Sequence, residues 1–270
     1  MPTLTGIDTH AHIFRPDLPM TADRRYAPGY DALVDAFIGN LHDNGLSHGV
    51  LVQPSFLGTD NSFMLSALAR HSDILRGTAV VEPSISEAEL DALAESGVVG
   101  IRLNLIGKPL ADYADTGWQA FFERLARRRW SVEIQRGMTD LADILPVIGQ
   151  SGVAVIVDHF GLPTHAPEEA ERLDAFLKQL PGSNIWIKLS APYRSQSSAQ
   201  QAAALLTQLR TAYGHSDHFL WGSDWPHTRF EDQTRYAEQL ALFHDMVTDR
   251  AEQQKILVDN PARLFHFPLR

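Results

Sequence analysis

The chain contains no cysteine among its 270 residues. Disulfide bonds, thiol nucleophiles and cysteine-ligated zinc sites are therefore excluded. Long apolar runs are also missing, and none approaches the roughly 20 residues that a membrane-spanning helix requires. The sequence starts without the basic and apolar segments of a secretory signal peptide. We therefore expect a cytoplasmic protein with no membrane partner.

Positive charge is scarce as well. Lysine and arginine total 23 against 33 aspartate and glutamate residues, a formal net charge of −10. This balance argues against a nucleic-acid-binding surface, because no cluster of basic residues offsets it. Nothing in the composition indicates an oligomeric state.

Short apolar segments alternate with longer amphipathic segments along the whole sequence. The apolar segments predict buried parallel strands, near 6–12, 48–54, 76–82, 98–104, 131–135, 153–159, 185–190 and 218–223. The amphipathic segments predict helices near 30–45, 60–71, 86–96, 117–129, 139–150, 168–180, 198–213 and 231–246, with a last one near 249–258.

Eight strand–helix pairs in this length predict an α/β fold, a single-domain (β/α)8 TIM barrel over 1–270. A doubly wound open sheet is the alternative. That fold usually carries a G-x-G-x-x-G phosphate loop after a strand, and the sequence has none. The longest predicted loop, 14–29, follows the first strand and is a candidate lid over a barrel's catalytic face.

Histidines two residues apart mark the first predicted strand. Side chains at i and i+2 of a strand point to one face, so His10 and His12 are expected to face the same site. His159 and Asp224 end the sixth and eighth predicted strands, where barrel enzymes place their catalytic groups. This set could hold Zn²⁺ or Mn²⁺ with a bound water. Alternatively, the imidazoles polarise a carbonyl while Asp224 accepts a proton from water.

Three basic residues are predicted near this site. Arg102 lies in a buried strand and needs an anionic partner, either a substrate carboxylate or an internal glutamate, Glu82 or Glu133. Lys108 and Arg194 lie in the loops after the fourth and seventh strands. If the three converge, the partner is a small anionic substrate with more than one carboxylate group.

Two further aspartates adjoin these residues. By strand parity, Asp8 is expected on the same face as His10, either as a competitor of Asp224 for the catalytic role or as a deeper structural or supporting carboxylate. Asp158 precedes His159, so it is expected to point away from the site, toward the helix layer, in a structural role.

Four motifs together resemble the amidohydrolase superfamily. They are Gly6-Ile7-Asp8-Thr9-His10-Ala11-His12, Val157-Asp158-His159, Gly222-Ser223-Asp224-Trp225-Pro226 and Asn260-Pro261-Ala262-Arg263-Leu264-Phe265. Within the superfamily, the segments 52–61 and 100–104 are similar to the 2-pyrone-4,6-dicarboxylate lactonase group, which hydrolyses a cyclic ester in aromatic catabolism.

The resemblance implies specific roles for matching residues. His10, His12 and His159 would surround the lactone carbonyl, and Asp224 would be the general base toward water. The side chains that would hold the polar groups of the substrate are Tyr26, Ser55, Arg102 and Arg194.

Two substrate-binding positions depart from the family pattern. Lys108 replaces an arginine and cannot form a bidentate fork with a carboxylate, and Gln135 replaces a tyrosine. Many amidohydrolases also carry a histidine or a modified lysine where this chain has Gln135 and Arg102, which argues against a binuclear metal site. The resemblance implies that no cofactor is required, or that one divalent ion is weakly held by the three histidines and Asp224. A metal-dependent decarboxylase and a sugar-acid lactonase are the alternative functions.

Overall fold

The computed structural model of the chain describes residues 3–268. Eight parallel strands pair in chain order, and a bridge between Ala11 and Trp225 joins the last strand to the first. The strands are β1 Ile7–Ala11, β2 His48–Val52, β3 Leu75–Ala79, β4 Val98–Asn104, β5 Ser131–Gln135, β6 Ala154–Val157, β7 Ile185–Leu189 and β8 Phe219–Trp221. The predicted (β/α)8 barrel is confirmed.

Helices follow the strands and cover the barrel. They are α1 Val34–Asp43, α2 Ser62–Arg70, α3 Glu87–Glu95, α4 Thr116–Arg127, α5 Met138–Gly149, α6 Ala170–Leu177, α7 Ala199–Tyr213, α8 Tyr236–Met246, α9 Arg250–Gln254 and α10 Asn260–Leu264. Each helix within residues 3–268 is too short or too polar to cross a bilayer. Helix α8 begins five residues later than predicted, so residues 231–235 extend the loop after β8.

The barrel interior is closed at one end by apolar side chains from six strands. Ile7, Val50, Val99, Ile156, Trp186 and Leu220 form this cluster, which is separate from the larger core between strands and helices. A (β/α)8 barrel is filled in this way rather than being a pore. Ligands therefore enter from the other end, where the carboxyl ends of the strands and their loops meet.

Close contact between β8 and β1 closes the barrel beside the site. A Cβ atom at Gly222 would lie 2.6 Å from the Cβ of His10 and 3.0 Å from its backbone nitrogen. Only glycine permits this approach without displacing the backbone of β1. The contact brings the residue after β8's end next to His10, whose carbonyl accepts the backbone N–H of Asp224 at 2.8 Å.

An irregularity in β1 overturns the prediction for Asp8. Asp8 pairs with Gly49 but Ala11 pairs with Leu51, so the register shifts by one residue between them. A bulge of this kind reverses the side-chain alternation beyond it. Asp8 consequently accepts the hydroxyl of Tyr236 of α8 at 2.9 Å and the backbone N–H of Ser223 at 2.9 Å. Its role is to join β1 to β8 and α8.

Candidate active site

The four predicted catalytic residues meet at the open end of the barrel. Nε2 of His10 lies 3.2 Å from Nε2 of His12. Oδ1 of Asp224 lies 3.7, 3.9 and 3.8 Å from the Nε2 atoms of His10, His12 and His159. All four side chains are buried. Asp224 has a positive φ of 61°, a conformation that a non-glycine residue keeps only where its surroundings hold it.

The other ring nitrogens orient two of these imidazoles. Nδ1 of His12 lies 2.7 Å from the carbonyl oxygen of Val52. That oxygen only accepts, so a neutral His12 carries its proton on Nδ1 and presents a lone pair at Nε2. Nδ1 of His159 lies 2.9 Å from the hydroxyl of Ser190, which either donates or accepts. His159 can therefore present an N–H or a lone pair to the site.

A buried cluster of charges lies beneath His10. Its Nδ1 is 3.2 Å from Glu133, 3.4 Å from Asp158 and 3.1 Å from Nζ of Lys188. Lys188 also donates to Glu133 and lies 3.6 Å from Asp158. The prediction that Asp158 points toward the helices is wrong: its carboxylate lies inside the barrel, in phase with Ile156 of β6. The positive φ of 52° at His159 breaks the alternation after Asp158, so His159 faces the site as well.

The burial of these groups shifts their pKa values in different directions. Burial lowers the pKa of His159 to about 3, and burial together with the charges of His10 and Arg102 lowers the pKa of His12. Burial and Lys188 also disfavour a charged His10, but Asp158 and Glu133 outweigh them and raise its pKa. The pKa is thus raised at His10 and lowered at His12 and His159, so the three imidazoles differ in how readily they bind a second proton.

Hydrogen bonds to the second oxygen of Asp224, Oδ2, keep this side chain ionised as a carboxylate. Its Oδ2 accepts the Tyr193 hydroxyl and Nε of Arg194, both at 2.5 Å. Burial would raise the pKa of Asp224, but Arg194 and the imidazoles of His159 and His10 outweigh it and lower the pKa below its usual range. Tyr193 was not predicted from the sequence. Its position beside Arg194 in the loop after β7 was the available signal.

A cavity above the four residues contains most of the predicted substrate-binding residues. Tyr26, Ser55, Arg102, Gln135 and Arg194 line it together with His12 and Asp224. Lys108 does not line this cavity. Its exposed side chain lies in an adjoining depression with Arg24 and Glu82. Four further polar lining residues were not assigned a role from the sequence: Arg25, Asn104, Thr228 and Arg229.

The sequence left two partners open for Arg102, an internal acidic residue or a substrate carboxylate, and the structure shows internal partners at a position beside the cavity. Its Nη2 donates to Gln135 at 2.9 Å and to Asp158 at 3.4 Å, and its Nε lies 3.8 Å from Glu133. Its guanidinium therefore has internal partners while it also borders the cavity. Glu82 is not among these partners.

Three of the four donors lie close enough together to hold one divalent metal ion: His10, His12 and Asp224. Donors about 2.0–2.1 Å from a tetrahedral zinc lie about 3.3–3.4 Å apart, and the separations from His10 to His12 and from Asp224 to each histidine, 3.2–3.9 Å, are close to that spacing. Nε2 of His159 and Oδ1 of Asp224 are buried and have no hydrogen-bond partner in the structure. His12 also presents a lone pair, as a metal ligand must.

The chain is similar to proteins that act on lactones. The curated 2-pyrone-4,6-dicarboxylate hydrolase of Comamonas testosteroni is 32% identical, with 96% of this chain and 90% of that protein aligned. The 4-sulfomuconolactone hydrolase of Rhizobium radiobacter is 29% identical, with 96% and 89% aligned.

A solved structure and a family model agree with these relatives. The crystal structure of a probable 2-pyrone-4,6-dicarboxylic acid hydrolase from Acinetobacter baumannii, with citric acid bound, superposes with a TM-score of 0.94. It shares 37% identity over 98% of this chain and 100% of that one. The amidohydrolase family model matches residues 7–267. The chain therefore belongs to the amidohydrolase family.

Proposed function

We propose that this protein is a hydrolase that opens a small carboxylated lactone, with Asp224 activating the attacking water. One observation carries the proposal. Oδ1 of Asp224 and Nε2 of His159 are buried without hydrogen-bond partners among residues 3–268, and they lie 3.8 Å apart beside a cavity lined by four arginines. Unpaired buried polar atoms are costly, so their presence at a cavity indicates that a reacting ligand completes them.

The relatives support the same reaction class. Two are named as hydrolases, of 2-pyrone-4,6-dicarboxylate and of 4-sulfomuconolactone. Each name describes a ring ester with at least one strongly acidic substituent. A cavity rich in guanidinium groups suits such a substrate, because arginine binds carboxylate and sulfonate oxygens through paired hydrogen bonds.

Asp224 is suited to accept the proton of the attacking water. Its lowered pKa keeps it ionised, and Tyr193 and Arg194 engage Oδ2, leaving Oδ1 free for the water. As the water oxygen bonds to the carbonyl carbon, its proton moves to Oδ1. The fixed position of the carboxylate removes the entropic cost of bringing base and water together.

His159 and His10 are suited to stabilise the charge that develops on the carbonyl oxygen. A proton on Nε2 of His159 can be donated to this oxygen while the Ser190 hydroxyl donates to Nδ1. His10, beside Glu133 and Asp158, adds positive charge to the site when it binds a second proton. Such preorganised groups stabilise a tetrahedral intermediate strongly.

When the ring opens, Asp224 gives up the proton that it accepted from water. The carbon–oxygen bond of the ring breaks, and the leaving oxygen takes the proton held on Asp224. The pairing with Arg194 that lowers the pKa of Asp224 also makes its protonated form a stronger acid, which favours this second transfer. Water is consumed, and the products are a carboxylic acid, which releases its proton to solvent as it ionises, and the enol or alcohol of the opened ring.

A bound Zn²⁺ or Mn²⁺ would supply a water of lowered pKa and a Lewis acid at the carbonyl. His10, His12, His159 and Asp224 are the residues that would hold it. His12 would need no change of tautomer for this role, because its Nδ1 proton already faces Val52.

The test is hydrolysis of 2-pyrone-4,6-dicarboxylate by the purified protein, followed by the loss of pyrone absorbance, with and without a chelator. Hydrolysis that survives chelation is the expected result if the chain's own residues suffice. Hydrolysis lost with chelator and restored by Zn²⁺ or Mn²⁺ would assign the carbonyl chemistry to an ion. Failure to hydrolyse either this compound or 4-sulfomuconolactone under all these conditions would contradict the proposal, and release of CO₂ would favour a decarboxylase instead.

A further inference from the structure

We propose that Arg25 and Arg229, on the loops after β1 and β8, bind a second anionic group of the substrate and set the preference for dianionic lactones. The inference rests on the proposed hydrolysis of a lactone at Asp224. It assigns the distal end of the substrate to two residues outside the catalytic set.

The cavity concentrates positive charge in an acidic protein. Arg25, Arg102, Arg194 and Arg229 all line it, although the chain has a net charge of −10. The charged groups that act most on Arg25 are the other three guanidiniums, which together with burial lower its pKa. Like charges gathered at one cavity repel one another, and an anionic ligand relieves that repulsion.

The two inner arginines already have partners. Arg102 donates to Gln135 and Asp158, and Arg194 donates to Asp224 and borders Thr228. Among residues 3–268, Arg102 and Arg194 are the only two of the four cavity arginines that form salt bridges. The remaining N–H donors of Arg102 and Arg194 suit one substrate carboxylate near the reacting ester.

Within residues 3–268, the two outer arginines, Arg25 and Arg229, have no carboxylate partner. Arg25 donates to the amide oxygen of Asn104 at 3.3 Å, a long bond to a neutral group. The acidic residue nearest to Arg229 along its loop is Glu231, which accepts the hydroxyls of Tyr30 at 2.6 Å and Tyr26 at 3.1 Å. These bonds join the loop after β1 to the loop after β8 and keep both arginines at the cavity.

Lys108, the remaining basic residue predicted to bind the substrate, lies outside the cavity. Lys108 lies in the adjoining depression, and Gln135, on the opposite wall, is engaged by Arg102. A second anionic group on the substrate therefore meets Arg25 and Arg229. Both are exposed, so water and salt weaken each contact, and we expect the pair to act together.

The test measures binding of two non-reacting aromatic probes by calorimetry. Isophthalate carries two carboxylates, and 3-carbamoylbenzoate replaces one of them with a neutral amide of similar shape. We expect the wild-type protein to bind isophthalate at least about tenfold more tightly, as a charge-assisted contact predicts. In the variant R25M/R229M this ratio should fall to about threefold or less, with little change for 3-carbamoylbenzoate.

Arg24→Met is the matched control. Arg24 is adjacent in sequence, its Nη1 donates to the Thr21 carbonyl at 2.9 Å, and it borders the adjoining depression instead. This variant removes one positive charge from the loop that carries Arg25, half of what R25M/R229M removes, and should keep the wild-type ratio. A ratio near one in the wild-type protein, or a ratio that R25M/R229M leaves unchanged, would overturn the inference.

Kinetic measurements separate this inference from the proposed function. If the wild-type protein hydrolyses no lactone but prefers isophthalate through the two arginines, the hydrolase proposal fails while the anion site stands. If it hydrolyses 2-pyrone-4,6-dicarboxylate and R25M/R229M has unchanged kcat/KM, the anion site fails alone. The result expected when both hold is a raised KM in R25M/R229M with kcat changed little, since neither arginine touches the reacting ester.

Discussion

Nζ of Lys188 lies 3.1 Å from Nδ1 of His10, and both side chains are fully buried. Glu133 and Asp158 lie against the same two groups. The Lys188 side chain thus lies beneath the catalytic histidine, where it pairs with two buried carboxylates. This arrangement fixes the side of His10 that faces away from the cavity, and it explains how two acidic side chains persist inside a barrel.

Replacement of Lys188 by methionine should destabilise the fold strongly. The change leaves Glu133 and Asp158 with less compensation in a site without bulk water, and breaking a buried ion pair typically costs about 3–5 kcal/mol. Urea unfolding of K188M measures the loss. Lys178→Met is the control, because its pair with Asp174 is exposed, and it should change stability little.

A double variant tests whether uncompensated charge is the cause. Glu133→Gln combined with Lys188→Met removes one charge of each sign, so we expect K188M/E133Q to be more stable than K188M alone. A double variant that is less stable than K188M would indicate that lost packing, rather than lost charge balance, dominates.

Asp224→Asn should abolish most of the lactone hydrolysis. The amide keeps the shape of the side chain but cannot accept the proton of water, and loss of a general base typically lowers kcat by about 10²–10⁴-fold. The measurement is kcat on 2-pyrone-4,6-dicarboxylate, with circular dichroism to check folding. A folded D224N enzyme with kcat near the wild-type value would remove Asp224 from the mechanism.

Tyr193→Phe should lower kcat about 10- to 100-fold, the usual effect of losing a hydrogen bond to a catalytic ligand. KM should change little, because Tyr193 contacts Asp224 and is not among the residues lining the cavity. Tyr213→Phe is the control. The Tyr213 hydroxyl donates to the carbonyl of Ile185 at 2.6 Å, at the start of β7, whereas Asp224 lies at the end of the barrel where the strands finish. It should lower stability and leave kcat unchanged.

The parts of the site that follow strand periodicity could be predicted from the sequence. His10, His12, His159 and Asp224 all end apolar strands, and parallel strands of a barrel bring those ends together. The predictions for Asp8 and Asp158 were wrong because each assumed strict alternation relative to a neighbouring histidine. A bulge in β1 breaks the alternation between Asp8 and His10, and the positive φ at His159 breaks it between Asp158 and His159, so Asp158 keeps the phase of Ile156 inside the barrel. Neither irregularity leaves a clear mark in residue type.

Loop residues were harder to predict than strand residues. Arg25 and Arg229 lie on loops whose paths depend on the bonds of Tyr26 and Tyr30 to Glu231, contacts between segments about 200 positions apart in sequence. Lys188 carried a signal that was overlooked: it is a charged residue inside the otherwise apolar Ile185-Trp186-Ile187-Lys188-Leu189. Such a residue indicates buried partners of opposite charge.

His218, at the start of β8, should make stability depend on pH in mildly acidic solution. Burial, with the nearby charges of His215 and Arg263, lowers its pKa from 6.5 to about 4, although Asp217 opposes the shift. The ring packs against Trp186 and Tyr213, which are not charged at these pH values. As pH falls below 6.5, the unfolded chain therefore binds a proton at this position before the folded chain does.

The sign follows from this difference in proton binding. The contribution of His218 to stability is complete above pH 6.5 and is lost progressively as pH falls toward 4, with a slope of at most about 1.4 kcal/mol per pH unit for one proton. The slope should be lower than this limit because the ring is only half buried. His218→Gln should flatten the dependence of the unfolding free energy on pH across this range, measured by urea titration at half-unit intervals. A wild-type profile that is already flat from pH 4 to 6.5, or one that the substitution leaves unchanged, would contradict the prediction.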